Sequence, residues 1–290
     1  MNFHLYLPQM RMPLPVMVER ARAAEAAGFE GIGLMDHLAP PMALDQPMWE
    51  AMVTAAWLIA HTERLVVGHL VLCDAFRHPA VLAREAVTLD HASGGRFELG
   101  LGWGSVAAEF DTFGVAPTEP RHKVGRMAET LQVLEALWSG RPVDFDGVYH
   151  QLRQAAQQPT PLGHIPVVIG GVGPKTLELV AAHADWWNLP VHRLSKLDEL
   201  RPRAGRARVS VQQMVGFIPS EDRRAELNEV IGRRFGRMGG GLVIGSAPEL
   251  VEHFAGLADR GIERVYAWFT DFAAPETLAR FGAEVIAALG

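Results

Sequence analysis

Cysteine is nearly absent from this 290-residue sequence, which contains only Cys73. A single cysteine excludes an internal disulfide and cannot by itself build a zinc site, so we expect the protein to work in a reducing compartment. The twelve histidines form no HExxH motif and no cluster with the spacing of metal ligands. The sequence therefore predicts no protein-held metal ion.

Long apolar runs and basic blocks are missing as well. No segment reaches the roughly 18 apolar residues that a membrane span needs, and the first ten residues lack the basic and apolar regions of a signal peptide. The formal net charge of -6 is spread along the chain, so nothing would attract nucleic acid or an anionic membrane. We expect a cytoplasmic protein that binds a small-molecule substrate, with neither nucleic acid nor membrane as a partner.

The sequence does contain a regular alternation of buried strands and amphipathic helices. Eight apolar runs predict strands, at residues 3–7, 31–35, 65–72, 97–101, 166–170, 186–189, 209–217 and 264–269. Helical spacing of apolar residues separates most of them, which is typical of a parallel sheet. Residues 1–290 are thus predicted to form one domain, a (β/α)8 TIM barrel. A doubly wound open sheet is the alternative, but it usually has fewer strands, and its dinucleotide fingerprint is missing.

Three segments interrupt this pattern. Residues 102–120 read as a long loop after the fourth strand. Residues 139–165 are rich in turn signals, including a hairpin-type Asp146-Gly147, and predict an excursion after the fourth helix. Residues 219–245, before the eighth strand, combine an arginine-rich amphipathic helix with a glycine run at 238–241 that predicts a mobile loop near the barrel mouth.

Ligands of such barrels bind at the carboxyl ends of the strands, so the residues that follow each strand are the site candidates. Asp36 and His37 follow the second strand. A histidine moves protons near neutral pH, and an adjacent aspartate can orient it or hold a ligand hydroxyl. In the alternative interpretation, Asp36 caps the next turn and His37 is merely exposed.

Two glycine-rich turns follow the fourth and fifth strands. Gly102-Trp103-Gly104 lets the backbone approach a ligand while the indole offers a flat wall, although tight packing of the turn would explain the glycines equally well. Gly171-Val172-Gly173 precedes Pro174, a residue suited to the first turn of a helix, so free N–H groups there predict a phosphate site. Cys73 follows the third strand and is interpreted as a packing residue rather than a nucleophile.

Along nearly the whole chain except residues 219–245, the ordered motifs resemble the luciferase-like family of flavin and deazaflavin oxidoreductases. The resemblance is carried by AEAAGFEGIGLMDH at 24–37, FRHPAVLAREAVTLDHASGGRFELGLGWG at 76–104 and PVVIGGVGPKTLELVAAHADWWNLP at 166–190. It implies that the 171–173 turn holds the cofactor phosphate and that the 102–104 turn lines the same site. It also implies that Asp36 faces the cofactor ring and that His37 is the acid or base.

The resemblance implies further features. The family carries a non-proline cis peptide bond at a bulge in the third strand, behind the ring, which would correspond here to Leu70-Val71. Family members are commonly homodimers. A glutamate that follows the glycine turn in the family's sugar-phosphate dehydrogenases is replaced here by Ser105, which argues against a sugar-phosphate substrate.

The richness in alanine, arginine and glycine is similar to actinobacterial members that use coenzyme F420. The expected function is hydride transfer between this deazaflavin and a small organic substrate, with His37 handling the proton. The alternative is a monooxygenase of the same family that receives reduced FMN from a partner reductase; a flavin or F420 reductase could supply the cofactor in either case. A non-catalytic flavin-binding protein is a third hypothesis, although Asp36 and His37 are both present.

Overall fold

The computed structural model describes residues 1–41, 44–116 and 119–290, and only the backbone of Met238. Its strands are β1 Asn2–Tyr6, β2 Gly31–Leu34, β3 Val66–His69, β4 Leu72–Cys73, β5 Phe97–Gly102, β6 Val143–Asp146, β7 Gln151–Ala155, β8 Val167–Gly170, β9 Trp186–Leu189, β10 Arg208–Phe217, β11 Leu242–Gly245 and β12 Arg264–Phe269. Its α-helices are α1 Leu14–Ala26, α2 Ala51–Ile59, α3 Pro79–Ser93, α4 Ala107–Phe113, α5 Pro120–Trp138, α6 Pro174–His183, α7 Leu197–Leu200, α8 Arg224–Phe235, α9 Ala247–Asp259, α10 Pro275–Phe281 and α11 Ala287–Leu289. A π-helical segment, Gly282–Ile286, joins the last two helices.

Eight parallel strands close into a barrel, which confirms the predicted fold. The order around the barrel is β1-β2-β3-β5-β8-β9-β10-β12, and β12 pairs with β1 to complete the circle. The strands that pair consecutively around most of the barrel are joined by helices on its outside, as expected for parallel strands. The carboxyl ends of all eight strands therefore meet at one mouth.

The helix α9 shows how the sequence specifies the outer layer. Ser246 and Glu249 form a capping box at its first turn, and Pro248 occupies an early position where a missing N–H costs nothing. Leu250, Phe254 and Leu257 recur at helical spacing and are buried against the barrel. The polar first turn and the apolar stripe together place this helix on the barrel wall.

The predicted excursion at 139–165 contains an antiparallel hairpin, β6–β7, as its turn signal indicated. The predicted loop at 102–120 is wrong in part, because α4 lies within it; residues 117–118 of that loop fall outside the described residues. The helix α4 could not be recognised in the sequence because this helix has only seven residues and lies between two turns that contain glycine. The strand predicted at 65–72 is also interrupted, since β3 ends at His69 and β4 continues beside β5.

A further correction concerns residues 219–245, where an additional strand, β11, was missed. Met214 and Val215 of β10 pair with β12 and also with β11, so β11 occupies the opposite edge of β10. The glycine run before it lies within short 3-10 turns over Gly236–Gly241, with a kink at Gly239, where φ is +53°. Three apolar residues after a glycine run were too short a signal to distinguish a strand from a loop.

The amino-terminal half of the barrel interior is filled by a buried polar cluster. One guanidinium nitrogen of Arg264 lies 2.7 and 2.9 Å from the two carboxylate oxygens of Glu98 and 2.9 Å from the hydroxyl of Tyr266. That hydroxyl also donates to Glu98 at 2.9 Å, and the guanidinium lies 3.7 Å from the ring centroid of Trp186. This end of the barrel is therefore plugged, and space for a ligand remains at the other end.

Candidate active site

A cavity of about 310 Å³ opens at the carboxyl ends of β2, β4, β5, β8 and β9. The structure brings His37 and most of the predicted cofactor residues together on its wall. These are Asp36, Leu70, Val71, Gly102, Trp103, Gly104 and Gly171. Val172 and Gly173 do not line the cavity; they connect Gly171 to the first turn of α6. Eight predicted site residues from distant parts of the sequence thus lie on the wall of one cavity.

Asp36 is buried, and its carboxylate is bound by groups from the third βα unit. Arg77 donates to both oxygens, at 2.6 and 3.1 Å, and the backbone N–H of Cys73 donates at 2.8 Å. The same guanidinium also pairs with Glu50 at the start of α2. Burial alone would lower the pKa of Arg77, but the hydrogen bonds and charges of the two carboxylates raise it. Asp36 is therefore a fixed, paired anion in the cavity wall.

His37 is held by a carboxylate that the sequence analysis missed. Its Nδ1 lies 3.0 Å from Oε2 of Glu109, a nearly buried residue of α4. The other oxygen of Glu109 accepts hydrogen bonds from the backbone N–H groups of Leu38 and Ala39, the latter at 3.3 Å. Because a carboxylate only accepts, Nδ1 carries the hydrogen, and Nε2 is the nitrogen left for a substrate. Within the described residues, no hydrogen bond reaches Nε2.

Glu109 was missed because α4 was not predicted. The only signals for this helix are Phe110 and Phe113, three positions apart, and Gly114, which ends the helix in a left-handed conformation. A segment this short has too few periodic positions to be separated from a loop. The glutamate therefore could not be placed next to His37 from sequence spacing.

The turn at 102–104 lies against the segment Leu70-Val71, which joins β3 to β4. A Cβ atom at Gly102 would lie 2.6 Å from Cγ2 of Val71, and one at Gly104 would lie 2.7 Å from Sγ of Cys73. Gly104 also has a φ of +80°, a backbone angle that residues with a side chain rarely adopt. The peptide bond between Leu70 and Val71 is cis, as the resemblance implied. Close packing of neighbouring side chains is thus the reason for glycine at both positions, together with the positive φ at Gly104.

The turn after β8 reaches the cavity through its first residue. Gly171 has a φ of +120°, and its carbonyl accepts a hydrogen bond of 2.8 Å from the indole of Trp187. Its N–H donates to the backbone carbonyl of Asn188 at 3.3 Å. Gly173 is the residue before α6, with Pro174 first in the helix. The amino terminus of this ten-residue helix therefore lies next to the cavity, where its N–H groups favour an anion.

Cys73 lines the same cavity, but its chemistry is that of a packing residue. Burial raises the pKa of the thiol to about 12, with nearby carboxylates adding to the effect. The thiol therefore stays protonated near neutral pH and is a poor nucleophile.

A second cavity of about 240 Å³ adjoins the first and shares Asn188 and Pro190 with it. Its inner wall comes from barrel strands, through Gln212 and Met214 of β10 and Trp268 of β12. The sequence analysis missed these residues because it considered only strand ends. The alternation of β10 was the available signal, since positions 210, 212 and 214 point to the same face.

Two further findings bear on the site. The described part of the chain contains no group of three or more histidine, cysteine, aspartate or glutamate side chains arranged to hold a metal ion. Among the residues with described placement, no helix is both long enough and apolar enough to cross a membrane.

The closed parallel barrel, with a cavity at the carboxyl ends of its strands, has the architecture of an α/β-barrel enzyme. The chain belongs to the luciferase-like monooxygenase family, whose model matches residues 1–235.

Curated relatives include an F420-dependent glucose-6-phosphate dehydrogenase of Microbacterium testaceum, 30% identical over 217 residues that make up 70% of this chain and 64% of the relative. The corresponding enzyme of Mycolicibacterium fortuitum is 33% identical over 231 residues, 73% of this chain and 66% of the relative. The chain thus spans slightly less than two thirds of the length of these relatives. Among solved structures, an F420-dependent secondary alcohol dehydrogenase in complex with an F420-acetone adduct superposes with a TM-score of 0.81 at 20% identity, covering 100% of this chain and 99% of that one.

Proposed function

We propose that this protein is an oxidoreductase that uses coenzyme F420 to transfer a hydride to or from a small organic substrate. The observation that carries the proposal is His37 on the wall of a cavity at the barrel mouth, held by Glu109 through Nδ1 and with no hydrogen bond to Nε2 from any described residue. The names of the curated relatives, which are F420-dependent dehydrogenases, support this choice of cofactor.

The cavity has walls suited to a flat ring with a phosphate-bearing tail. Leu70, Val71 and Trp103 supply apolar surface, and the N–H groups at the start of α6 would hold the phosphate. When bound, the deazaflavin accepts or donates the hydride. Asp36, fixed by Arg77, forms the wall next to His37 and keeps its position as the cofactor enters.

His37 moves the proton that accompanies the hydride. Its Nδ1–H is held by Glu109, so the ring is oriented and Nε2 accepts the proton of a substrate hydroxyl. Glu109 also stabilises the imidazolium that results. In the opposite direction, the same Nε2–H returns the proton to a carbonyl oxygen.

The proposal is tested by titrating the purified protein with oxidised coenzyme F420 and, in parallel, with FMN, following quenching of cofactor fluorescence. Binding of the deazaflavin in preference to FMN is expected. Preference for FMN, together with oxygen uptake in the presence of reduced FMN and a reductase, would instead identify a monooxygenase. Binding of neither would refute the cofactor assignment, and deazaflavin binding without turnover of any substrate would favour a non-catalytic binding protein.

The phosphate position has its own test at Gly173. This residue has an ordinary extended conformation, and a Cβ there would meet nothing closer than Oγ1 of Thr176 at 3.5 Å. Gly173→Asp should weaken deazaflavin binding at least tenfold or so, because a carboxylate would face the phosphate. Gly173→Asn, of the same size without the charge, is the matched control. Equal affinities of the two variants would place the phosphate elsewhere.

We also infer a cytoplasmic homodimer. Val53 and Trp57 lie four positions apart along α2 and are 71% and 44% exposed. Trp49, two residues before that helix, is 39% exposed, and Val81 of α3 is 52% exposed. An apolar stripe of this kind on neighbouring helices favours a protein contact. Light scattering after size exclusion should give the mass of two chains, and Val53→Asp should shift it to one. A wild-type mass of one chain would contradict the dimer.

A further inference from the structure

The side chain of Asn188 lies at the junction of the two cavities, and its hydrogen bonds determine which way its amide points. Nδ2 lies 3.2 Å from Oγ of Ser210, and that hydroxyl lies 3.4 Å from the carbonyl oxygen of Trp187. Because a backbone carbonyl only accepts, the hydroxyl proton of Ser210 is used there, and its oxygen must accept from a nitrogen. The nitrogen of Asn188 therefore faces Ser210, and its Oδ1 is left for the cavities.

The described residues that line the second cavity offer an apolar wall and no fixed cation. None of these eight is a lysine, an arginine or an acid, and His192 is the only ionisable side chain among them. Met214 and Trp268 supply the apolar surface. Behind them, Trp268 packs against Tyr6 with ring centroids 5.5 Å apart.

The described residues that line the first cavity include no lysine or arginine either, and the buried ammonium of Lys123 behind the wall donates to the carbonyl of Gly104. Arg77 stands behind Asp36, and its charge is matched by the carboxylates of Asp36 and Glu50. A phosphate ester in the second cavity would therefore lose its hydration without gaining a counter-ion, which is costly. It would also bring only acceptor oxygens to the acceptor Oδ1 of Asn188.

We propose that the second cavity holds the organic substrate and that this substrate is an uncharged alcohol with an apolar body, or the carbonyl compound formed from it, and not a phosphate ester. This inference rests on the proposed function. The substrate hydroxyl would extend past Asn188, where the two cavities adjoin, into the first cavity that His37 lines. In the oxidation, the hydride leaves the carbinol carbon for the oxidised deazaflavin, the hydroxyl proton goes to Nε2 of His37, and the C–O bond becomes a carbonyl. The substrate class would then differ from that named for the glucose-6-phosphate dehydrogenases that resemble this chain.

The volume of about 240 Å³ is below the usual range of drug-sized pockets, which begins at roughly 300 Å³. The occupant is therefore small, and Gln212, whose amide lines the same wall, is the group that a second polar atom of the substrate would meet. Cyclohexanol and 1-phenylethanol are suitable probes, with glucose 6-phosphate as the anionic comparison.

The test measures binding and turnover separately in protein saturated with oxidised coenzyme F420. Saturation-transfer NMR should detect the two alcohols and not glucose 6-phosphate, and loss of deazaflavin absorbance should follow the same order. Gln212→Arg should raise the KM for the alcohols at least about tenfold, because a cation would enter an apolar site. Since Gln212 does not line the first cavity, deazaflavin affinity should stay unchanged.

Val148→Arg is the matched control, because Val148 is 82% exposed in the hairpin and lines neither cavity. If Gln212→Arg does not fold, Trp268→Ala replaces it, with the same expected rise in KM for 1-phenylethanol. Binding and turnover of glucose 6-phosphate would overturn the inference, as would failure of both alcohols to bind to protein that binds the deazaflavin. Failure to bind the deazaflavin itself would instead refute the proposed function.

Discussion

The ion pair between Arg77 and Asp36 gives a prediction that needs neither cofactor nor substrate. Arg77→Met keeps the apolar stem of the side chain and removes the guanidinium. Asp36, only 6% exposed, would then lose contacts of 2.6 and 3.1 Å and keep a single hydrogen bond from the backbone N–H of Cys73. A buried carboxylate left without its partner is far less stable than the pair.

The expected loss can be stated from these contacts. Removing one member of a buried ion pair costs about 3–5 kcal/mol. Because Asp36 keeps one donor and borders a cavity open to water, we expect the lower end, about 3 kcal/mol, or more than a hundredfold in the unfolding equilibrium. Glu50 also loses a partner, but it is half exposed and water replaces the contact. Asp36→Asn combined with Arg77→Met should recover at least about 1 kcal/mol, since no unpaired charge remains.

Urea unfolding followed by tryptophan fluorescence measures this loss as a shift in midpoint at constant slope. Arg153→Met is the control, because its ion pair with Asp146 has a contact of 3.0 Å between two largely exposed side chains. Such a pair contributes about 0–1 kcal/mol. A loss for Arg77→Met no larger than for Arg153→Met would refute the reasoning. So would a double variant as unstable as the sum of its single changes.

Three more predictions follow from the site and its surroundings. His37→Ala should lower turnover about 100-fold, while cofactor affinity stays near the wild-type value. Glu109→Gln should lower turnover about tenfold or more and shift the pH profile of kcat/KM, again with cofactor affinity near the wild-type value. An unchanged pH profile for Glu109→Gln would show that Glu109 does not position His37. Gly104→Ala should cost about 1–3 kcal/mol in thermal unfolding because of its positive φ and the contact with Cys73, whereas Gly163→Ala, with open space around it, should be nearly neutral. Burial lowers the pKa of His69 to about 4, so below about pH 6.5 the unfolded chain binds more protons than the folded chain. The free energy of unfolding should therefore fall by about 2 kcal/mol between pH 7 and pH 5. If His69→Gln leaves this pH dependence unchanged, His69 is not its source.

Much of the fold could be predicted because the barrel strands are buried on both faces. Runs such as 31–35 and 166–170 are continuously apolar, and each is separated from the next by a helical pattern, which is a strong local signal for parallel strands. Local apolar patterns predicted neither the interruption of the third strand, which only the resemblance implied through its bulge at Leu70-Val71, nor the short strand β11. Both depend on pairing with β5 and β10, which lie far away in the sequence, and not on local preference.

The site residues that could be predicted are those that come directly after a strand. Asp36, Gly102 and Gly171 occupy such positions, and they meet on one cavity wall because parallel strands end at the same mouth. Glu109 escaped prediction because it lies on a short helix that packs back over the mouth. Trp268 escaped because it faces inward from within a strand. Their roles, and that of His37, stay predictions until the variants are measured.

The buried contact between Glu98 and Arg264 restricts how this chain can change over evolutionary time. The two residues are 166 positions apart, yet each neutralises the other inside the barrel, with Tyr266 sharing the hydrogen bonds. A lineage that replaced either one first would carry an unpaired buried charge, at a cost of about 3–5 kcal/mol that few natural proteins can tolerate. Descendants are therefore expected to keep or exchange the two together. The loops at the opposite mouth are free of this constraint. Substitutions in these loops can therefore change the substrate, while the residues at the closed end of the barrel stay nearly unchanged.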